Sequence, residues 1–177
     1  MVLSAMVRIE TAEFNSPIGP LGLAAEAGVL IAVTFNGLEP LRTWARRTLG
    51  EVEEMPGQNP AGASTALRRF FDGELDALAE LPVRFHGTHF QARVWRSLRR
   101  IPAGTTRTYR ELAQWVGDGR ATRAVGAANG QNPLPVVVPC HRVIGSDGGL
   151  TGFGGGLSRK RWLLEHEGAL RRQGSLL

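Results

Sequence analysis

Cys140 is the only cysteine among the 177 residues, and it stands in the tetrapeptide Pro139-Cys140-His141-Arg142. A lone cysteine forms no internal disulfide and builds no multi-cysteine zinc site. Two readings remain: an inert thiol in a core, or a nucleophile. A histidine and an arginine follow directly, and cationic neighbours of that kind lower a thiol's pKa. The approach Asn132-Pro133-Leu134-Pro135-Val136-Val137-Val138-Pro139 reads as a short valine strand held rigid by proline on each side. A glycine tract, Gly154-Gly155-Gly156, lies just beyond. These neighbours favour the nucleophile.

Such a thiol needs elements to carry it, and the chain divides into two parts. Residues 1–82 read as a small α+β support domain. Short segments over 7–14, 22–26 and 30–36, separated by Asn15-Ser16-Pro17 and Ala27-Gly28, predict an antiparallel meander. The spacing over 38–49 predicts a helix. Asn59-Pro60 is the expected N-cap and first position of another helix reaching Phe71. Glu51, Glu53, Glu54 and Asp72 read as solvated surface. Residues 83–177 read as a helical domain. Thr88-His89-Phe90-Gln91 and Thr108-Tyr109-Arg110-Glu111 are capping boxes, each opening a helix. After the turn Gly117-Asp118-Gly119 a third helix is expected over 120–129, completing a helix-turn-helix. That helix is thin, with alanines, Gly126 and few long side chains besides Arg123. Major-groove readers need several long polar residues. This helix fits either close approach to a narrow groove or tight packing on a neighbour. The fold class expected is therefore α+β: an antiparallel sheet followed by helices, with a winged-helix-like helix-turn-helix that carries the cysteine.

Charge is segregated between the two parts. Residues 1–83 hold 6 basic and 11 acidic side chains, a net of −5, whereas residues 84–177 hold 15 and 5, a net of +10. A basic half beside an acidic one points to a polyanionic partner. Hydrophobic content of 42% suffices for a packed core, and no segment is apolar enough to cross a bilayer. Met1–Met6 lacks the charged and apolar regions of a signal peptide, so a cytoplasmic, reducing setting is expected.

Several motifs in order resemble the O6-alkylguanine-DNA alkyltransferase family: Gly87-Thr88-His89-Phe90-Gln91, Val94-Trp95, Ile101-Pro102-Ala103-Gly104, Thr108-Tyr109, Arg123-Ala124-Val125-Gly126, Asn132-Pro133, Pro139-Cys140-His141-Arg142-Val143, Gly152-Phe153, Lys160 and Leu163 to Gly168. The resemblance covers residues 87–168. It implies direct, single-turnover transfer of the alkyl group from O6-alkylguanine in double-stranded DNA, with O4-alkylthymine as a further candidate substrate. Cys140 would be the irreversible acceptor, His141 its base through a water, and Glu167 the orienter of that base. Asn132 would sit at the hinge, and Tyr109 would assist the leaving group. Pro135, Val143, Thr151, Phe153 and Gly154 would form the pocket, with the Cys140 and Val143 carbonyls facing the exocyclic amine. Arg123 would fill the stack after base flipping, and Arg110, Ser146 and Gln91 would contact the backbone from the minor-groove side, with little sequence preference. The resemblance implies a monomer with no cofactor.

Phe153 stands where many relatives have tyrosine, and Gly154 where some have serine. The zinc site of some relatives needs cysteines absent here, and His86 and His89 do not replace them, so no metal is expected. Two rivals stay open. A Cys-His hydrolase could use the same pair, although adjacent residues on an extended strand point to opposite sides. The other is a non-catalytic helix-turn-helix module.

Overall fold

A computed structural model describes residues 6–171 of the chain, so most of the N-terminal stretch read for a signal peptide lies outside the described residues. Strands β1 (Val7–Ser16), β2 (Gly19–Glu26) and β3 (Val29–Phe35) form the expected antiparallel meander. Ala27 and Gly28 both have positive φ, 49° and 76°. Two successive left-handed residues make the tight turn whose twist matches its flanking strands.

The sheet is covered on both faces. Helix α1 (Leu38–Leu49) lays Leu41 and Ala45 against Ile9, Ala24, Ile31 and Ala32. Helix α2 (Ala63–Phe71) packs Leu67 and Phe70 with Leu21, Leu23, Leu30 and Val33 on the other side. The predicted helix from Pro60 is broken: Pro60–Gly62 is a separate 3-10 turn, because Ala61 (φ 51°) and Gly62 (φ 78°) leave the helical region. Gly62, not Asn59, is the N-cap of α2, although the Asn59 Oδ1 accepts from the Thr65 amide in the first turn at 3.1 Å.

A fourth strand, β4 (Val52–Pro56), pairs parallel to β1 at the sheet edge, where the sequence reading had only surface acids. Its charged residues obscure its apolar alternation, as on a charge-protected edge. Glu54 accordingly is not a freely solvated acid. It accepts from Thr11 at 2.9 Å and from Arg42 at 3.0 Å, and the Arg42 hydrogen bond holds its carboxyl below the usual range.

Residues 82–84 run along the outer edge of β3, with the Leu30 amide donating to the Pro82 carbonyl and the Arg84 amide to the Leu30 carbonyl. Beyond lie α3 (His89–Leu98), α4 (Tyr109–Val116), α5 (Thr122–Gly130) and α6 (Leu157–His166). Both capping boxes form as predicted, Thr88 with Gln91 and Thr108 with Glu111. Helix α5 begins two residues later than expected. One hydrophobic core joins the parts: Leu21, Leu30 and Phe70 share a cluster with Trp95, Leu98, Leu134 and Val138.

Candidate active site

The valine segment is not a strand. Val136 has φ 72° while buried, a conformation that costs a β-branched residue about 1–3 kcal/mol. The strain is held by a local lattice. The Val138 amide donates to the Leu134 carbonyl and the Cys140 amide to the Val138 carbonyl, both at 2.8 Å. Asn132 brackets the turn: its Nδ2 donates to the Val138 carbonyl at 2.8 Å, and its Oδ1 accepts from the Leu134 amide at 3.0 Å. Cys140–Arg142 then form a 3-10 turn rather than extended chain. The opposite-sides argument of an extended strand therefore does not apply to Cys140 and His141.

A two-stranded parallel ladder, β5 (Arg107–Thr108) with β6 (Val143–Ile144), ties the start of α4 to the residues that follow the thiol. That pairing sets Tyr109 beside the turn. The tyrosine hydroxyl donates to the Thr151 carbonyl at 3.1 Å, and burial raises its pKa. Helix α5 is anchored from behind, since the Trp95 indole N–H donates to the Ala128 carbonyl at 2.8 Å.

His141 and Glu167 are buried together, with Nε2 2.9 Å from Oε1. A carboxylate only accepts, so Nε2 carries the proton and Nδ1 keeps its lone pair. That Nδ1 is buried without a partner among the described residues. Arg142, expected from the sequence only as a cationic neighbour of the thiol, completes the cluster. Its Nη2 and Nε donate to the two oxygens of Glu167 at 2.7 and 3.0 Å, and its Nη1 donates to the Ile101 carbonyl. Burial favours the neutral acid, but hydrogen bonds from His141 and Arg142 and the charge of the Arg142 guanidinium outweigh it and hold Glu167 down to about 2. Burial lowers the His141 pKa.

The Cys140 thiol corrects a sequence expectation. Burial pushes it up to about 11, although the Asn132 amide and the charge of Lys160 pull the other way. His141 is neutral and the Arg142 guanidinium is turned onto Glu167, so neither supplies the cationic field that adjacency in sequence implied. The resting group is a thiol, and it becomes a nucleophile only as a base removes its proton.

A cavity of about 370 Å³, within the usual range of small-ligand sites, lies against Cys140. Cys140, Asn132, Pro135, Phe153 and Gly154 line it, together with residues the sequence reading left out: Phe35 and Trp44 from the N-terminal part, and Asn129 from α5. Phe35 meets Phe153 edge-on at 5.6 Å. A Cβ on Gly155 would stand 2.6 Å from the Phe35 ring and 2.8 Å from Phe153, so this position requires glycine. Val143 and Thr151, expected in the pocket, are not among the residues that line this cavity. The Lys160 ammonium, fully buried, donates to their carbonyls at 2.6 and 2.9 Å, and burial lowers its pKa to about 8.

The expected DNA-contacting residues lie at the surface. Arg110 on α4, Arg123 on α5 and Ser146 in the turn after β6 are exposed, and so are Ala124 and Ala127 beside Arg123. Gln91 is already committed: its oxygen accepts from the Thr88 amide at 2.8 Å and its nitrogen donates to Gln131 at 2.7 Å.

Comparison with known proteins agrees with this arrangement. The family described as 6-O-methylguanine DNA methyltransferase, DNA-binding domain, matches residues 89–169. The methylated-DNA–protein-cysteine methyltransferase of Salmonella typhimurium is 42% identical over 170 residues, spanning 93% of this chain and 99% of that protein. Its namesake in Shigella flexneri is 52% identical over 118 residues, 67% of this chain and 69% of that one. The crystal structure of Mycobacterium tuberculosis O6-methylguanine methyltransferase is 43% identical, covers 95% of this chain and 96% of its own, and superposes with a TM-score of 0.75. That of Mycobacterium tuberculosis OGT in complex with DNA is 41% identical over 92% of this chain and 94% of that one, again at 0.75. With relatives of this identity matching nearly the full length, a single cysteine in Pro-Cys-His-Arg, and the buried histidine and glutamate beside it, the chain belongs to the methylated-DNA–protein-cysteine methyltransferase family.

Proposed function

We propose that this chain repairs O6-alkylguanine in double-stranded DNA by moving the alkyl group irreversibly onto Cys140. The observation that carries the proposal is the buried His141–Glu167 pair that follows Cys140 in the chain. Glu167 fixes the His141 tautomer, which leaves the Nδ1 lone pair able to take the Cys140 proton through a water. As the thiol loses that proton, the sulfur attacks the alkyl carbon. A carbon–sulfur bond forms, the carbon–O6 bond breaks, and guanine leaves with the electron pair and ends protonated. The Tyr109 hydroxyl donates to the base as negative charge develops on it. Asn132 holds the turn that aims the sulfur.

The target carbon is inaccessible inside a duplex, so the nucleotide must be flipped out at a cost of about a few kcal/mol. Exposed Arg123, the one long side chain of α5 beside exposed Ala124 and Ala127, suits entry from the minor groove into the vacated stack. Exposed Arg110 and Ser146 would hold phosphates, and contacts to phosphates give little sequence preference. The protein would act as a monomer, since Cys140, His141, Glu167, Tyr109 and Arg123, the residues this reading needs, all lie in one chain. Gln91 is a weaker contact than sequence alone implied, since its amide is spent within the fold.

Intact mass spectrometry after incubation with O6-methylguanine duplex tests the proposal. One methyl mass should appear per protein, on the peptide containing Cys140, and uptake should stop there, because thiol exchange does not cleave a thioether. Cys140→Ser should gain nothing. More than one equivalent transferred per protein, or full repair by Cys140→Ser, would overturn it.

A further inference from the structure

The cavity beside Cys140 is built across a seam. One wall, with Phe35 and Asn36, belongs to the end of β3, and an adjoining wall, with Phe153 and Gly154, belongs to the loop that leads into α6. A loop that runs on through Gly155 and Gly156 has little of its own to hold it, because glycine loses more conformational freedom on ordering than any other residue. Something outside the loop has to fix it.

Arg159, in the first turn of α6, is bonded to both sides of that seam. Its Nε donates to the Ile18 carbonyl between β1 and β2 at 2.8 Å, and its Nη2 to the Asn36 Oδ1 at 2.8 Å. Its Nη1 donates to the Gly155 carbonyl at 3.2 Å, and the guanidinium lies 5.0 Å from the Phe35 ring, a cation–π contact. A partly buried guanidinium thus spends every nitrogen on neutral acceptors, in three separate segments of chain. Its planar fork fixes the spacing of those segments, which a single ammonium cannot do. Gly155, whose carbonyl it holds, is where the loop presses on the Phe35 and Phe153 rings. None of these bonds reaches Cys140, His141 or Glu167.

We propose that Arg159 is a positioning residue for alkyl transfer, one that ties the pocket loop to the N-terminal sheet so that the wall stands ready before a flipped base enters. This assignment rests on the alkyl-transfer reading above. Without Arg159 the loop must be ordered each time a base binds, so the loss falls on the hold on the lesion and not on the chemical step.

The test measures single-turnover labelling of Cys140 across a range of O6-methylguanine duplex concentrations, beside anisotropy with undamaged duplex. In Arg159→Ala the half-saturating concentration of the lesion duplex should rise about tenfold, the worth of one charge-assisted hydrogen bond. The maximal rate should stay within about twofold of the parent, the pattern of lost binding without lost chemistry. Affinity for undamaged duplex should also stay within about twofold, because it rests on phosphate contacts that need no pocket. Arg159→Lys keeps the charge and loses the fork, so it should share the defect. Asn36→Gly removes one acceptor at a position whose φ of 65° suits glycine, and should raise the half-saturating concentration about threefold. These two variants carry the comparison if Arg159→Ala does not fold. Full recovery with lysine, a lower maximal rate at unchanged half-saturation, or equal weakening on lesion and undamaged duplex would each overturn the proposal. A parent protein that never labels Cys140 would instead refute the alkyl-transfer reading, and this assignment with it.

Discussion

Glu167 is the residue on which the reactive cluster depends. It is buried, ionised, and shared between a neutral imidazole and a guanidinium. Glu167→Gln leaves Arg142 buried without its counter-charge, a change that costs about 3–5 kcal/mol. It also releases Nε2 from an anionic acceptor, which weakens His141 as a base. Alkyl transfer should therefore slow by about tenfold or more, while binding to undamaged duplex is unaffected. Single-turnover rates beside fluorescence anisotropy check this, and full-rate transfer by the variant would contradict it. The acid response has a definite sign. Glu167 sits near 2 in the fold against an ordinary value of about 4.3, so its contribution is complete above that value and is lost as pH falls toward 2. The lowered His141 acts in the same direction from about 6.5 downward, because the unfolded chain takes up that proton first. Denaturant midpoints should fall on acidification, and the lower limb should flatten in Glu167→Gln.

At the scale of elements, α5 does two jobs with one composition. Its buried side brings Val125 and Ala128 into the shared core, and its open side offers Arg123 among alanines. The small residues let a duplex come close, and the arginine is left as the one long side chain on that side. Arg123→Ala should depress repair on duplex about tenfold while changing repair of a single-stranded oligonucleotide much less, since there is little stacking to replace. Equal losses on the two substrates would show that Arg123 contributes only charge. The β5–β6 ladder matters for a different reason: two residues on each side suffice to hold Tyr109 next to the Cys140 turn.

Over the whole molecule, the halves share a core but not a charge. Arg159 on α6 reaches across to the N-terminal part, donating to the Ile18 carbonyl at 2.8 Å and to Asn36 at 2.8 Å, with its guanidinium 5.0 Å from the Phe35 ring. Trp162 and His166 of the same helix stack and pack with Phe71 of α2. The sheet domain thus supplies one wall of the cavity through Phe35 and Trp44, beyond mere support. The net of +10 over residues 84–177 lies in the other half of the molecule. Affinity for undamaged duplex should fall steeply from about 50 to 200 mM salt, because each neutralised phosphate releases counterions. A flat salt response in a titration by anisotropy would mean that the basic half does not meet the phosphates.

Local signals were legible in the sequence because they act over short distances. Both capping boxes, the meander, the lone cysteine in Pro-Cys-His-Arg and the charge segregation all appear within a few residues of chain, or in composition. Other features depended on the tertiary structure. Strand β4 forms because β1 offers it an edge, which the charges of Glu53 and Glu54 do not announce. The valine run is a strained turn, since Asn132 and the Leu134–Val138 bond outweigh the β preference of three valines. Arg142 and Glu167 are 25 residues apart and meet only where α6 packs against the Cys140 turn. The state of the thiol was decided in the same way. Adjacent histidine and arginine imply an acidic cysteine, but burial and the diversion of the guanidinium to Glu167 raise it instead, because a pKa answers to solvation and charge in space and not to neighbours along the chain.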